Sequence, residues 1–256
     1  MATKEQTAAI LIIGDEILSG KVREENARYL ILELRALGVL VRHVAFLPDD
    51  IGIIGRETKR HSEEQDLVFT TGGVGPTHDD VTTKGIANGF EVPVVSDPKL
   101  EELVRRFYGD RLCPSHLLLA QVPEGTVLET DGKSDAAFVT RFRNVFIFPG
   151  VPSLLKAKFP VIREQFRAQP FWNGKIFCTC DEGTIAEALG ELAKSLTGIS
   201  IGSYPKIDNP EYKVMLTVEG KDQETVAHAF EKMTETFSSH ILRSEPPRPI
   251  KTEGSQ

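Results

Sequence analysis

The sequence predicts an α/β protein, built on a mostly parallel sheet and followed by a small α+β domain. Three observations predict it. Short apolar runs alternate with segments of helical periodicity through the first third of the chain. Two apolar runs end in glycine- and proline-bearing turns that feed directly into helical patterns. At residues 169–174 the sequence QPFWNG interrupts the pattern, and the remainder reads as a strand–helix–strand–strand–helix unit.

Residues 8–13 (AAILII) form the first strand, apolar throughout as a strand buried on both faces requires, and give way at once to Gly14, Asp15 and Glu16. A helix follows over residues 24–37, with Tyr29, Leu30, Leu34 and Leu37 at helical spacing and Gly38 as its stop. Residues 39–46 are the next strand, 50–62 a helix and 66–69 a third strand, a repeat that favours parallel pairing through right-handed crossovers. After a glycine loop at 70–80 comes a helix over 80–89. Pro93 makes the extended segment 92–95 a poor central strand. Asp97 and Pro98 open a helix to residue 108, as N-cap and first helical position. Residues 116–120 are a short helical segment, and 126–128, 136–141 and 145–148 are strands. Pro149-Gly150-Val151-Pro152-Ser153 is a second strand-to-helix turn, opening a helix to residue 167. Beyond the break, 175–179, 199–204 and 212–218 read as strands and 183–196 and 223–237 as helices. Domains are expected at residues 1–169 and 170–243, with the polar, proline-bearing residues 244–256 as a disordered tail.

With 256 residues and 40% hydrophobic content the chain can bury a sizeable core. Thirty Lys and Arg against 37 Asp and Glu leave a net charge of -7, with no basic run to track a nucleic-acid backbone, so no nucleic-acid partner is expected. No segment approaches the ~20 apolar residues of a membrane span, and MATKEQTAA lacks the apolar region of a signal peptide. A soluble, cytoplasmic protein without a membrane partner is expected. Three widely spaced cysteines, Cys113, Cys178 and Cys180, argue against a disulfide framework. Cys178 and Cys180 fit one buried strand face better than a metal site, because no further His or Cys clusters beside them.

The strongest functional constellation joins Asp15 and Glu16 to TTGGVGPTHDD, residues 70–80. Gly72, Gly73 and Gly75 can adopt positive φ and carry no Cβ, so a phosphate can approach the backbone N–H groups, and a helix starting near Asp79 adds its positive dipole end. Asp79 and Asp80 would repel that anion unless a divalent cation stands between them, so the stretch predicts a metal together with a phosphate. The hydroxyls of Thr77 and Thr82 could add oxygen ligands. Asp79 as a helix cap and Asp15-Glu16 as a surface turn would each be ordinary; their joint placement at strand ends favours a site. His78 fits either a general acid or base or a solvated loop histidine. His43 and His116 read as packing or surface residues, and Phe107, Tyr108 and Trp172 as core or interface filler. Gly202-Ser203-Tyr204-Pro205 reads as a strand-end turn or a pocket rim. No Gly-x-Ser-x-Gly elbow or P-loop lysine is present, which excludes a serine hydrolase of that type and a P-loop NTPase.

TTGGVGPTHDDVT at 70–82, with GDEILSG at 14–20, Asn26 and FPGVPS at 148–153, resembles the molybdopterin-binding-like domain shared by the CinA (competence/damage-inducible) family and eukaryotic FAD synthases. DEGTIAEAL at 181–189 and IGSYP at 201–205 resemble the region that follows this domain in the FAD synthases. The resemblance implies a three-layer α/β/α domain, self-association as a dimer or trimer, and metal-dependent hydrolysis of nucleotide pyrophosphates such as ADP-ribose or FAD, with Co2+, Mg2+ or Mn2+, and K+, as candidate ions. Transferred by motif, Asp15, Glu16, Asp79 and Asp80 would serve the metal and its water, with Glu16, Asp79, Asp80 and His78 as the catalytic candidates. Gly14, Gly20, Asn26, Thr71, Gly72, Gly73, Gly75, Pro76, Thr77, Thr82, Pro149, Gly150, Pro152 and Ser153 would shape the substrate site. Other branches of the fold bind or adenylylate molybdopterin, which is the competing expectation, and a catalytically silent module is a third. GPTHDD favours the CinA and FAD-synthase branch over the shorter Gly-Thr-Gly form. Residues 130–138 (TDGKSDAAF) depart from the Gly-Thr-Ala-Pro-Gly turn usual in CinA. With no amidase or PAPS-reductase-like domain in the sequence, neither NMN deamidation nor FAD synthesis is expected.

Overall fold

Strand β1, Thr7–Ile13, is buried at all seven positions and anchors a six-stranded sheet. The computed structural model describes residues 5–132 and 138–251. Its contacts divide the chain between Ala168 and Gln169, with Arg35–Gly38 grouped with the second unit.

In the first unit β1 is followed by a single helical turn α1 (Asp15–Leu18), helix α2 (Asn26–Ala36), β2 (Leu40–Leu47), α3 (Ile51–Glu64), β3 (Leu67–Thr71), α4 (Thr82–Gly89), β4 (Val94–Ser96), α5 (Pro98–Tyr108), β5 (Gln121–Pro123), β6 (Val127–Thr130), β7 (Phe138–Phe142), β8 (Val145–Phe148) and α6 (Pro152–Lys158). The sheet runs β2-β1-β3-β8-β7-β6, parallel from β2 to β8 and antiparallel across β8, β7 and β6. Leu11 stands opposite Ala45 on one side and Thr70 on the other, which aligns the carboxyl ends of β1, β2 and β3. One sheet face packs Leu11, Ile13, Val68 and Ile147 against Ile54 of α3 and Ile86 of α4. The opposite face carries Phe69 and Phe148, which meet Phe159, and Phe159 meets Tyr29 of α2 edge-on at 5.9 Å. Helices therefore cover both faces, as the three-layer expectation required. Burying such aromatic side chains contributes much of the core's stability. Asp97 caps α5 by accepting from Leu100 N at 2.9 Å.

The helix expected to reach residue 167 is shorter. It stops at Lys158 and continues as 3-10 turns at Phe159–Val161 and Arg163–Phe166. Pro160 lacks an N–H and its ring crowds the preceding turn, so the α-helix cannot run through it. Phe159, Ile162 and Phe166 remain buried nonetheless.

The second unit comprises β9 (Trp172–Cys178), α7 (Glu182–Ser195), β10 (Ile199–Pro205), β11 (Val214–Gly220), α8 (Gln223–Thr236) and β12 (Ile241–Pro249), with antiparallel sheet order β10-β11-β9-β12. Asp181 and Asp222 cap the helices by accepting from Thr184 N and Thr225 N. Ile185, Val226, Ala229 and Met233 from the helices share one core with Ile176, Leu216 and Val218 of the strands. Cys178 lies in that core, where burial pushes its thiol up to about 11, and Cys180 packs against the same cluster. Gly202-Ser203-Tyr204-Pro205 is the strand end that one reading expected: it closes β10, paired with Thr217 through Val214 rather than turning away.

The expected disordered tail is corrected as far as residue 249. β12 pairs with β9 from Ile241 opposite Cys178 to Pro249 opposite Trp172. Its register shifts between Glu245 and Arg248, where Pro246 and Pro247 fall. An irregular edge strand is where a sheet tolerates prolines, so the composition that suggested disorder suits this position. Residues 252–256 lie outside the described chain, as do 133–137 of the TDGKSDAAF departure.

Candidate functional site

Because β1, β2, β3 and β8 are parallel, their carboxyl ends share one edge, and the segments that follow them come together there. After β1, Gly14 N donates to Leu47 O at 3.1 Å, and the single turn α1 leaves Asp15 and Glu16 exposed. After β2 stands Asp49, which the sequence reading missed. Asp15 N donates to Asp49 Oδ2 at 2.9 Å, and Asp49 N to Asp15 Oδ1 at 3.4 Å. Burial raises the Asp49 carboxyl above the usual range; the Asp15 N–H opposes this, and the negative charges of Asp15, Glu16 and Asp79 add to it. The available signal was a third strand ending in a carboxylate, in Leu47-Pro48-Asp49.

After β3 the chain turns through Gly72 and Gly73, at φ 101 and 62. A Cβ at Gly72 would collide with the Ile13 carbonyl oxygen, and one at Gly73 with the Thr82 hydroxyl, so both require glycine. Thr82, expected to contact metal or substrate, is fully buried and braces the turn instead. Its Oγ1 donates to Gly72 O at 2.8 Å and its N to Gly73 O at 2.9 Å. Asn26 and Thr71 brace in the same way. Asn26 Nδ2 donates to Thr71 Oγ1 at 2.9 Å and to Gly150 O at 2.7 Å, and Thr71 Oγ1 donates to Pro149 O at 2.9 Å. Together with Gly72 N donating to Phe148 O at 3.2 Å, these bonds lock the β3 and β8 turns to the start of α2. Asn26 Oδ1 is buried and accepts no hydrogen bond.

Asp80 departs most from its expected role. Its carboxylate accepts from Gly75 N at 2.6 Å, from Thr77 N at 2.9 Å and from the Thr77 hydroxyl. Of the Gly72, Gly73 and Gly75 N–H groups expected to receive a phosphate, that of Gly75 is therefore taken by the loop's own carboxylate, as is the Thr77 hydroxyl expected to serve as an oxygen ligand, and Asp80 braces the loop. The helix starts at Thr82, two residues later than expected, and Gly73, Val74, Gly75, Thr77 and Asp80 line the open space beside the turn. Asp79 and His78 project outward, His78 at 97% exposure, with Nδ1 3.8 Å from Asp79 Oδ1. The Thr77 hydroxyl, the loop backbone and His78 hold the Asp79 carboxyl below its usual range. Gly20 and Ser153 are exposed, and Pro76 and Pro152 half-buried.

Asp15, Glu16, Asp49 and Asp79 are hard oxygen donors, the chemistry that suits a divalent cation. Among the described residues they do not form a group of three whose ligand atoms all lie within 4.8 Å. They fit an ion held by one or two carboxylates and completed by water and phosphate oxygens, as magnesium-type ions are held. Beside the turn opens a cavity of about 600 Å³, bounded by Gly73, Val74, Gly75 and Pro149 and walled by Leu103, Phe107, Tyr108 and Leu118. Phe107 does not fill the core, being 73% exposed, and Tyr108 stacks on His116 with ring centroids 3.6 Å apart. Sequence reasoning also missed Lys84, Arg106 and Lys158 on the wall. Burial lowers Lys158 from 10.5 to about 8, and its Nζ donates to Phe138 O at 2.8 Å. Among the described residues no helix is long and apolar enough to cross a membrane.

Comparison with known proteins gives the same division of the chain. Residues 9–167 match the family described as "Probable molybdopterin binding domain", and residues 170–245 that described as "FAD synthase, middle domain". A probable FAD synthase of Caenorhabditis elegans is 32% identical over 266 residues, an alignment covering 93% of this chain and 51% of that protein. The chain thus spans about half the length of this relative. A protein of Archaeoglobus fulgidus is 33% identical over 230 residues, covering 90% of this chain and 97% of that one. The crystal structure of the protein CinA, of unknown function, from Thermoplasma acidophilum superposes with a TM-score of 0.57 at 27% identity, covering 64% of this chain and 99% of that one.

Proposed function

The chain belongs to the family of probable molybdopterin-binding domains, and on that premise we propose that it is a metal-dependent nucleotide pyrophosphatase, cleaving ADP-ribose- or FAD-like dinucleotides into two monophosphates. One observation carries this reading: Asp15, Glu16 and Asp49 gather at the strand ends beside a braced glycine turn that opens on a cavity large enough for a nucleotide ring.

The amides of Gly73 and Val74 receive the pyrophosphate, and Lys84 and Arg106 on the cavity wall offset its charge. A planar ring lies against Leu103, Phe107 and Tyr108. One or two of Asp15, Glu16 and Asp49 would hold the divalent cation, with Asp79 at the rim and water and phosphate oxygens completing its shell. Such a cation, when bound, polarises a phosphoryl oxygen and lowers the pKa of a water toward ~7. Asp79, whose carboxyl is held below its usual range, stays ionised and serves as a fixed negative charge at the rim. Co2+, Mg2+ and Mn2+ are the candidate metals and K+ a further ion. A homodimer or homotrimer in the cytoplasm is the proposed working form, which light scattering would measure.

The test is incubation of metal-free protein with ADP-ribose and with FAD, each with Co2+, Mn2+ or Mg2+ and with excess chelator. Metal-dependent release of AMP supports the proposal; no AMP from either substrate with any of these ions refutes it. The family description favours one further reading, in which the same turn and cavity bind or adenylylate molybdopterin. Retention of molybdopterin without hydrolysis of any dinucleotide would put that reading first.

A further inference from the structure

A second cluster of ligand-type side chains lies away from the glycine turn. His43 projects from the middle of β2, the edge strand of the sheet, and is exposed. His61 and Glu64 lie on the last turn of α3, three residues apart and so on the same helix face. Ligand atoms of His43, His61 and Glu64 all lie within 4.8 Å of one another. The two imidazole rings stand 5.0 Å apart by centroid. His61 is 1% exposed, and its Nδ1, 3.9 Å from Glu64 Oε2, is buried without a hydrogen-bond partner.

We propose that His43, His61 and Glu64 form a binding site for a divalent transition-metal ion of the zinc type, distinct from the acidic cluster at the strand ends. Two imidazoles and one carboxylate are a donor set that zinc accepts, with a water completing four-coordination. Magnesium and calcium, which require oxygen donors, do not suit it. The unpartnered Nδ1 of His61 is the second observation that points to an ion. Leaving a buried polar atom unpaired is costly, and a ligand bond removes the deficit.

Arg60 marks where the ion would go. Its NH2 group donates to His61 Nε2 at 2.8 Å, and its NH1 to Glu64 Oε2 at 3.3 Å, so the guanidinium bridges two of the three ligands. While Arg60 donates to Nε2, the ring proton of His61 must sit on Nδ1. Coordination through Nδ1 moves that proton to Nε2 and obliges Arg60 to let go. A resting place is provided, since Glu57 already accepts from Arg60 Nε at 3.2 Å and from NH2 at 2.8 Å. The arginine thus competes with the ion, and metal uptake ties the edge strand to α3 through three ligand bonds.

The experiment is zinc titration of untagged, chelator-treated full-length chain against a chromogenic chelator, all in an Asp49→Asn background that weakens the acidic cluster. Expected is one equivalent bound, lost or weakened at least about tenfold in His43→Ala and in Glu64→Gln. Both side chains are exposed, so the fold survives these changes, which circular dichroism checks. Arg60→Ala should bind about tenfold more tightly, because a hydrogen bond to a competing charge is removed. Retention of the full equivalent at unchanged affinity by either His43→Ala or Glu64→Gln overturns the proposal, as does weaker binding by Arg60→Ala.

Discussion

Asp80→Asn separates a metal ligand from a brace. The two carboxylate oxygens are both engaged, Oδ1 by Gly75 N and Oδ2 by Thr77 N and the Thr77 hydroxyl. Asparagine replaces only one of those acceptors. Its NH2 group must then face either the Gly75 N–H or the Thr77 donors, donor against donor. Hydrogen bonds to a charged group contribute about 1.5–3 kcal/mol, and the loss should fall in that range. For a domain of this size each kcal/mol lowers the midpoint by about 2–4 °C, so the first unit should melt roughly 3–12 °C lower. Differential scanning calorimetry in excess chelator is the assay, because without metal a ligand contributes nothing to stability. Asp80→Ala should show a loss of similar size. A metal-free midpoint unchanged in Asp80→Asn, combined with lost metal affinity, would refute the bracing role and restore Asp80 as a ligand.

Further outcomes follow from the same geometry. Thr82→Val should destabilise the metal-free protein by about 1–3 kcal/mol, because it removes the donor to the buried Gly72 carbonyl, and Thr82→Ser should recover most of that in urea unfolding. For Asp49, the folded-state pKa lies above the ordinary 3.8, so its ionised form costs stability at neutral pH and the cost fades as pH falls through that window. Metal-free Asp49→Asn should therefore match or exceed the parent in stability at neutral pH, lose the advantage in acid, and bind Mn2+ more weakly by calorimetry. Lys158 binds its proton less tightly folded than unfolded, so the parent should gain stability relative to Lys158→Met as pH rises from about 8 to 10.5, measured by urea unfolding across that range.

The parallel half of the sheet was legible because Thr7–Ile13 and Leu67–Thr71 are apolar strands that end in glycine and carboxylate chemistry. Capping chemistry at Asp97-Pro98 was equally readable, since the bond it makes is local. Position without partner was the limit. The sequence placed Asp80 beside a glycine loop but could not show that Gly75 and Thr77 already satisfy it. Thr82, Thr71 and Asn26 were singled out as site residues, yet their hydrogen bonds run to groups up to 124 positions away and define a brace. Asp49 escaped because an aspartate between a strand and a helix resembles any helix-entry residue, and its neighbour Asp50 is in fact the cap of α3. β12 escaped because composition alone favours disorder, whereas the edge of a sheet accepts prolines at a register shift.

The most direct test of the central claim follows the oxygen. Metal-free protein is supplied with ADP-ribose in water enriched in oxygen-18, with and without Mn2+, and the monophosphate products are weighed by mass spectrometry. Hydrolysis of the pyrophosphate predicts one heavy oxygen in one of the two monophosphates, formed only when metal is present and suppressed in Asp49→Asn. Monophosphates lacking the heavy oxygen, or formed equally in chelator and in Asp49→Asn, would contradict a water activated at the carboxylates beside the glycine turn.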